Sequence, residues 1–348
     1  MTPTSIRART ASLAAAALLA GCGGGSSPPA PAGIELPGNY KDIEARPDAF
    51  TKPFGAALTA AHAAGDPSYL QRWLRSFTSV TPENAMKWEV VEPGSGEWDW
   101  READAIVDAA EKTRKRVRGH PLVWDQQLPD WVATSGDVEN ALREHVRTLV
   151  SHYQGHVAQW DVVNEPFEEN GTFTQSVFYK ALGERYIDIA FDEAHRADPD
   201  AKLFLNELSA ERPGAKQSAL LALARRLKAR GVPIDGIGLQ NHTKVGDAPS
   251  KADLRATFGR IADLGLDVEI TEMDVTVPPG GALQAQAAAY AAAAGACADA
   301  PECTGLTVWG VDDTYSWLGA DKRPLPFGKG GAPKPAAAAI AGALLKRG

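Results

Sequence analysis

From Phe54 to Gly310 the chain repeats one pattern. Short apolar runs of strand length alternate with amphipathic stretches of helix length. The runs lie at 54–58, 76–81, 116–123, 157–163, 202–206, 236–240, 267–271 and 306–310. Amphipathic stretches lie between them, for example at 138–152, 175–197, 213–230, 252–264 and 283–298, and a last Ala-rich stretch follows Pro335. Near-continuous apolar runs suit parallel strands buried on both faces. Eight such strands alternating with helices predict an α/β fold, a single (β/α)8 TIM barrel. No internal repeat or composition break marks a second folded domain. With 44% hydrophobic and 23% charged residues, the chain reads as an ordinary globular body.

The N-terminus reads differently. Arg7 and Arg9 precede a short apolar run, 11–20, too short to span a bilayer and suited to a signal-peptide core. Leu19-Ala20-Gly21-Cys22 resembles a bacterial lipobox, which implies cleavage before Cys22 and lipid attachment to its thiol; the alternative is an ordinary secretory signal. Residues 23–39 are rich in Gly, Ser, Pro and Ala, a tether composition. The folded body is expected to start near Tyr40 and to run to 348. Gly23 after Cys22, with no Asp there, points to an outer-membrane lipoprotein by analogy with bacterial lipoproteins generally. The formal net charge is −8. An acidic body argues against a nucleic-acid partner. The one basic cluster, Lys112 to Arg118, reads as a solvated helix end. Cys297 and Cys303 lie close together; an exported chain permits a disulfide there, and two buried thiols are the alternative. A monomer is the default expectation.

A barrel places its active site where the strands end. Strand two runs into Glu83, Asn84 and Lys87, and strand three into His120, Trp124 and Gln127. Strand four ends at Asn164-Glu165, strand five at Asn206-Glu207, and strand six at Gln240-Asn241-His242. Strand seven ends at Glu272 and Asp274, and strand eight at Trp309, with Trp317 beyond. Two carboxylates at the ends of two apolar strands are what a retaining glycosidase needs, about 5–5.5 Å apart. Aromatic faces with amide and carboxylate rims suit pyranose rings.

These motifs, in this order, resemble glycoside hydrolase family ten, the family of endo-β-1,4-xylanases. The resemblance rests on Thr81-Pro82-Glu83-Asn84-Ala85-Met86-Lys87-Trp88, Trp160 to Pro166, Ile270-Thr271-Glu272-Met273-Asp274 and Val308 to Trp317. It implies Glu165 as acid/base and Glu272 as nucleophile. It also implies a hydrogen-bonded chain from His242 to Glu272 with Asp274 behind the imidazole. Asn164 is then expected to bond the 2-hydroxyl of the reacting sugar. Glu83, Asn84 and Lys87 would hold hydroxyls on the non-reducing side, and His120, Trp124, Gln127, Gln240, Trp309 and Trp317 would line the cleft. The Cys297/Cys303 pair resembles a disulfide of many members. An ionised Glu272 close by is expected to raise the pKa of Glu165. The chemistry calls for no metal or organic cofactor; xylan and xylo-oligosaccharides are the implied partners. Departures from the family pattern include Asp125, where many members carry His, and Glu207-Leu208-Ser209 in place of Asp-Tyr-Asn. Glu207 either bonds near the nucleophile strand or stiffens the barrel mouth. Retaining cleavage of another β-1,4-glycan and non-catalytic capture of oligosaccharides are the competing readings.

Overall fold

The computed structural model describes residues 33–346; Cys22 and the signal-like segment lie outside them. Among the described residues nine strands form: β1 (Phe54–Leu58), β2 (Ser79–Pro82), β3 (Arg116–Gly119), β4 (Gln159–Asn164), β5 (Lys202–Glu207), β6 (Gly236–Leu239), β7 (His242–Lys244), β8 (Asp267–Thr276) and β9 (Cys303–Val308). All their pairings are parallel, in the order β1-β2-β3-β4-β5-β6-β8-β9, and β9 returns to β1. The barrel is therefore closed, with no free edge. The short β7 pairs with the outer half of β8, His242 opposite Asp274. The eight expected strands are all present.

Their lengths differ from the reading in two informative places. β3 ends as a regular strand at Gly119, and the expected run to Val123 continues irregularly, with the Leu122 and Val123 N–H groups bonding β4. A Cβ on Gly119 would lie 2.1 Å from the Trp160 ring, so only glycine lets the two strands meet there. Pro121, two residues on, has no N–H to donate. β8, by contrast, runs on past Thr271 to Thr276 because β7 supplies it with a partner. The amphipathic stretch at 175–197 is two helices, Val177–Leu182 and Arg185–Ala197. Gly183, at φ 60°, turns the chain between them. The packed body also begins earlier than Tyr40, since Ile34 and Leu36 rest against the core.

The basic cluster is not a solvated helix end throughout. Arg114 is exposed, but Lys115 is 5% and Arg118 3% exposed. The Lys115 ammonium donates to the Leu74 and Phe77 carbonyls and lies over the Trp73 ring. Burial lowers its pKa to about 8. Arg118 points into the barrel and pairs with Asp161, with Glu269 3.5 Å away. Charge on a strand reads as solvent-facing until the neighbouring strands are known; here β4 and β8 supply the carboxylates.

Cys297 and Cys303 are joined in a disulfide between the helix Leu283–Ala298 and β9. Both are fully buried.

Candidate active site

The expected catalytic and sugar-binding residues lie at or beyond the strand ends, except Glu272 and Asp274, which stand in the outer half of β8. β4 carries a register shift between Asp161 and Val163, and Val123 bridges Val163 from outside the named strands. A bulge re-aims the side chains just beyond it, here those of Asn164 and Glu165. Glu165 itself sits at φ 53°, a left-handed backbone that costs a non-glycine residue of order 1–3 kcal/mol. Its N–H donates to the Asn206 carbonyl at 2.9 Å, so the β5 end helps hold that conformation.

Two amides join the carboxylates. The Gln240 Nε2 donates to Glu165 Oε1 at 2.9 Å, and Asn164 Nδ2 donates to the same oxygen at 3.1 Å. The Asn206 Nδ2 donates to Glu272 Oε1 and to Asn164 Oδ1, both at 2.7 Å. The Thr271 hydroxyl donates to Asn206 Oδ1 at 2.7 Å and fixes the amide's orientation. Glu165 and Glu272 are thus bridged through Asn164 and Asn206. Asn206 was visible in the sequence only as a strand end beside Glu207, with no motif to mark it as a carboxylate partner.

The second oxygen of each carboxylate has its own partner. The Trp124 indole Nε1 donates to Glu165 Oε2 at 3.1 Å. His242 Nε2 lies 3.3 Å from Glu272 Oε2, and its Nδ1 lies 2.9 Å from Asp274 Oδ2. The expected chain Asp274–His242–Glu272 is therefore present. Trp317, 56% exposed, donates its Nε1 to the same Asp274 oxygen at 3.0 Å. His120 Nδ1 bonds Asp161 Oδ2 at 2.9 Å and lies 3.9 Å from Glu272 Oε1. Trp309 is buried and meets His120 edge-to-face at 5.0 Å.

The two carboxyls are pushed apart electrostatically. Burial is the main cause that raises Glu165; the charge of Glu272 adds to it, and the Gln240 and Trp124 hydrogen bonds oppose it. The charge of Glu272 acts in the expected direction, and desolvation adds the larger part. Burial also works to raise Glu272, but the His120 ring and the His242 hydrogen bond outweigh it and hold this carboxyl low. Asp274 and Glu272 together raise His242 well above its ordinary value, against its burial. A neutral acid at Glu165 and an ionised carboxylate at Glu272 can therefore coexist.

A second polar group gathers at the ends of β2 and β3. The Lys87 ammonium donates to Asn84 Oδ1 at 2.8 Å and to Gln127 Oε1 at 2.6 Å, and stands over the Trp124 ring. Glu83 accepts from the Thr59 hydroxyl at 3.1 Å. Burial raises Glu83 and lowers Lys87. Glu207 takes the second of its two readings. It is fully buried and accepts from the Phe167 N–H at 3.2 Å and from Lys216 at 3.3 Å. It stiffens the loop after Glu165 and does not touch Glu272. Burial pushes its carboxyl up to about 8, against the pull of Lys216.

Comparison with known proteins gives the family. The model of glycosyl hydrolase family 10 matches residues 43–343. Endo-1,4-beta-xylanase 1 of Gibberella zeae is 40% identical over 281 residues, 77% of this chain and 79% of that protein. Endo-1,4-beta-xylanase A of Phanerodontia chrysosporium is 43% identical over 249 residues, 70% of this chain and 60% of that protein. The crystal structure of xylanase 10B from Thermotoga petrophila in complex with xylobiose superposes with a TM-score of 0.81 at 36% identity, covering 84% of this chain and 94% of that one. The native xylanase 10B of Thermotoga maritima gives the same values. Closed parallel barrel, bridged carboxylates and family match all point one way: the chain belongs to glycosyl hydrolase family 10.

Proposed function

We propose that this enzyme is an endo-1,4-β-xylanase that cuts internal β-1,4-xylosidic bonds with retention of configuration. The observation that carries the mechanism is the bridged pair Glu165/Glu272, with one carboxyl raised and the other lowered. Glu272 attacks the anomeric carbon as Glu165 gives its proton to the departing glycosidic oxygen. The C–O bond breaks and a glycosyl ester forms on Glu272. Glu165, now a carboxylate, takes a proton from water, the water oxygen attacks the same carbon, and the ester bond breaks. His242, fixed by Asp274, keeps Glu272 ionised between turnovers and aims one of its oxygens. Asn164, whose amide lies between the two carboxylates, is assigned to the 2-hydroxyl of the reacting sugar. Glu83, Asn84, Lys87 and Gln127 are assigned to sugar hydroxyls on the non-reducing side. Trp124, Trp309 and Trp317, with His120 and Gln240, wall the reacting subsite. The xylanases of Gibberella zeae and Phanerodontia chrysosporium, as relatives, support xylan as the substrate.

For the whole chain the proposal is an exported lipoprotein. The signal ends before Cys22, which carries the lipid; the Gly/Ser/Pro/Ala-rich stretch that follows is the tether, and the catalytic domain takes in Ile34, Leu36 and the rest of the chain. The anchor holds a monomer to the outer membrane. Product analysis on glucuronoxylan tests the enzymatic reading. Wild type should release xylobiose and xylotriose, and both Glu165→Ala and Glu272→Ala should lose that release. Cleavage of cellulosic substrates instead would keep the mechanism and overturn the substrate. Oligosaccharide binding without any cleavage would overturn both.

A further inference from the structure

The turn after β6 does two jobs with three residues. Gln240 sends its amide to Glu165 at 2.9 Å, and His242 sends its ring to Glu272 at 3.3 Å. Between them Asn241 sits at φ 60°, a left-handed conformation that Asn tolerates better than most residues. The Asn241 side chain does not hold the turn. It is 2% exposed, and neither its Oδ1 nor its Nδ2 has a hydrogen-bond partner among the described residues. The grip comes through the backbone. The Asn241 N–H donates to Glu211 Oε1 at 2.7 Å.

Glu211 lies four residues beyond the end of β5, 8% exposed, and touches neither catalytic carboxylate. It is itself anchored from below. The Thr257 hydroxyl donates to the Glu211 carbonyl at 2.8 Å, and Gln217 Nε2 donates to Thr257 at 3.0 Å and to the Ala210 carbonyl at 2.8 Å. Arg260 donates to Gln217 Oε1 at 3.1 Å. The loop after β5 thus holds both neighbouring turns by their main chain. Glu207 takes Phe167 N–H beside Glu165, and Glu211 takes Asn241 N–H between Gln240 and His242.

We infer that Glu211 is a positioning residue, whose acceptance of the Asn241 N–H holds the left-handed turn that aims Gln240 at Glu165 and His242 at Glu272. The inference rests on the reading of that pair as the catalytic carboxylates. A partner that never touches the substrate can still decide geometry at the reacting atoms, where a misplacement of about 1 Å costs ~10²-fold in rate. The consequence is specific. The Gln240 bond lowers Glu165, and the His242 bond lowers Glu272. Releasing the turn weakens both, so both carboxyls rise together. The charged or titratable groups facing Glu211 are His242 and Lys216; those facing the pair are His120, Asp161, His242, Lys87, Glu83, Arg118 and Glu207.

The test is the pH profile of kcat/KM on an aryl β-xylobioside, with Tm measured alongside. Glu211→Met fills the same volume without an acceptor; Glu211→Gln keeps one oxygen for the Asn241 N–H. The expected result for Glu211→Met is a kcat lower by ~10²-fold, a KM changed far less, and both limbs of the profile moved to higher pH. Glu211→Gln should leave both limbs near their wild-type positions. Unmoved limbs in Glu211→Met, whether or not Tm falls, would reduce Glu211 to a structural residue. Limbs moved equally in Glu211→Gln would assign the effect to charge rather than grip. Either result overturns the inference. Should Glu211→Met not fold, Asn241→Val decides, because a β-branched residue resists φ 60°: the same upward movement supports the inference and its absence sinks it. Labelling of wild type by a 2-fluoro xylobioside separates the two levels. Labelling away from Glu272 removes the underlying reading; labelling at Glu272 with unmoved limbs removes only the role of Glu211.

Discussion

At the scale of single residues, the site works by giving two chemically identical side chains opposite environments. Glu165 is raised mainly by burial, and Glu272 is held low by His120 and His242 despite its burial. On the proposed mechanism the rate requires Glu272 ionised and Glu165 protonated. The acid limb of the kcat/KM profile should therefore lie below the ordinary carboxyl range and the alkaline limb above it; a profile with the limbs reversed in order of assignment, read from Glu165→Gln, would contradict this. Asn206 is the residue the sequence hid. It donates to Glu272 and to Asn164 at once, yet its type and position resemble any polar strand end. A hydrogen bond to a charged group contributes about 1.5–3 kcal/mol, so Asn206→Ala should lower kcat by roughly tenfold to a hundredfold and also lower Tm, because Asn164, Thr271 and Glu272 lose a buried partner. The two glutamates themselves were legible because each ends an apolar, β-branched run abruptly. The cause of the Glu165 shift was not, because desolvation depends on what covers the residue, not on its neighbours in sequence.

At the scale of elements, strand existence and order were legible and strand ends were less so. Apolar periodicity reports burial on both faces, which all eight barrel strands share. It does not report where hydrogen bonding stops. β3 is interrupted after Gly119, where the Trp160 ring lies against it, and its backbone bonds to β4 resume at Leu122 and Val123, a detail set by a strand some forty residues away. Gly119→Ala should overpack this contact and destabilise the fold by about 1–3 kcal/mol, measurable by urea unfolding. The inward-facing Arg118 was missed for a similar reason. Its carboxylate partners come from β4 and β8, and only closure of the barrel brings them together. The disulfide between the helix Leu283–Ala298 and β9 closes a short loop. The chain-entropy model gives it about 2 kcal/mol, so Cys297→Ser with Cys303→Ser should lower Tm by a few degrees and leave the pH profile in place, since neither residue contacts the site.

At the scale of the whole molecule, the barrel gathers polar groups at its mouth and accepts some loss of stability to keep them there. Glu207 shows the sign. Its folded value of about 8 lies above the ordinary unfolded value of about 4.3. Its contribution is therefore full below about pH 4.3 and is lost as pH rises through about 8. Unfolding free energies of Glu207→Gln and wild type should converge, or cross in favour of the variant, between about pH 5 and about pH 8. The proposed anchor belongs to this scale too. Cys22→Ala should move the protein from the membrane fraction to the soluble one, and firm membrane binding by that variant would contradict lipid attachment. Azide rescue tests the division of labour between Glu165 and Glu272 most directly. With an aryl β-xylobioside and azide, Glu272→Ala should give the α-glycosyl azide, because azide attacks in place of the missing nucleophile. Glu165→Ala should give the β-glycosyl azide, because the ester on Glu272 still forms and azide then displaces it. The two anomers in the opposite variants, or the same anomer in both, would contradict the assignment.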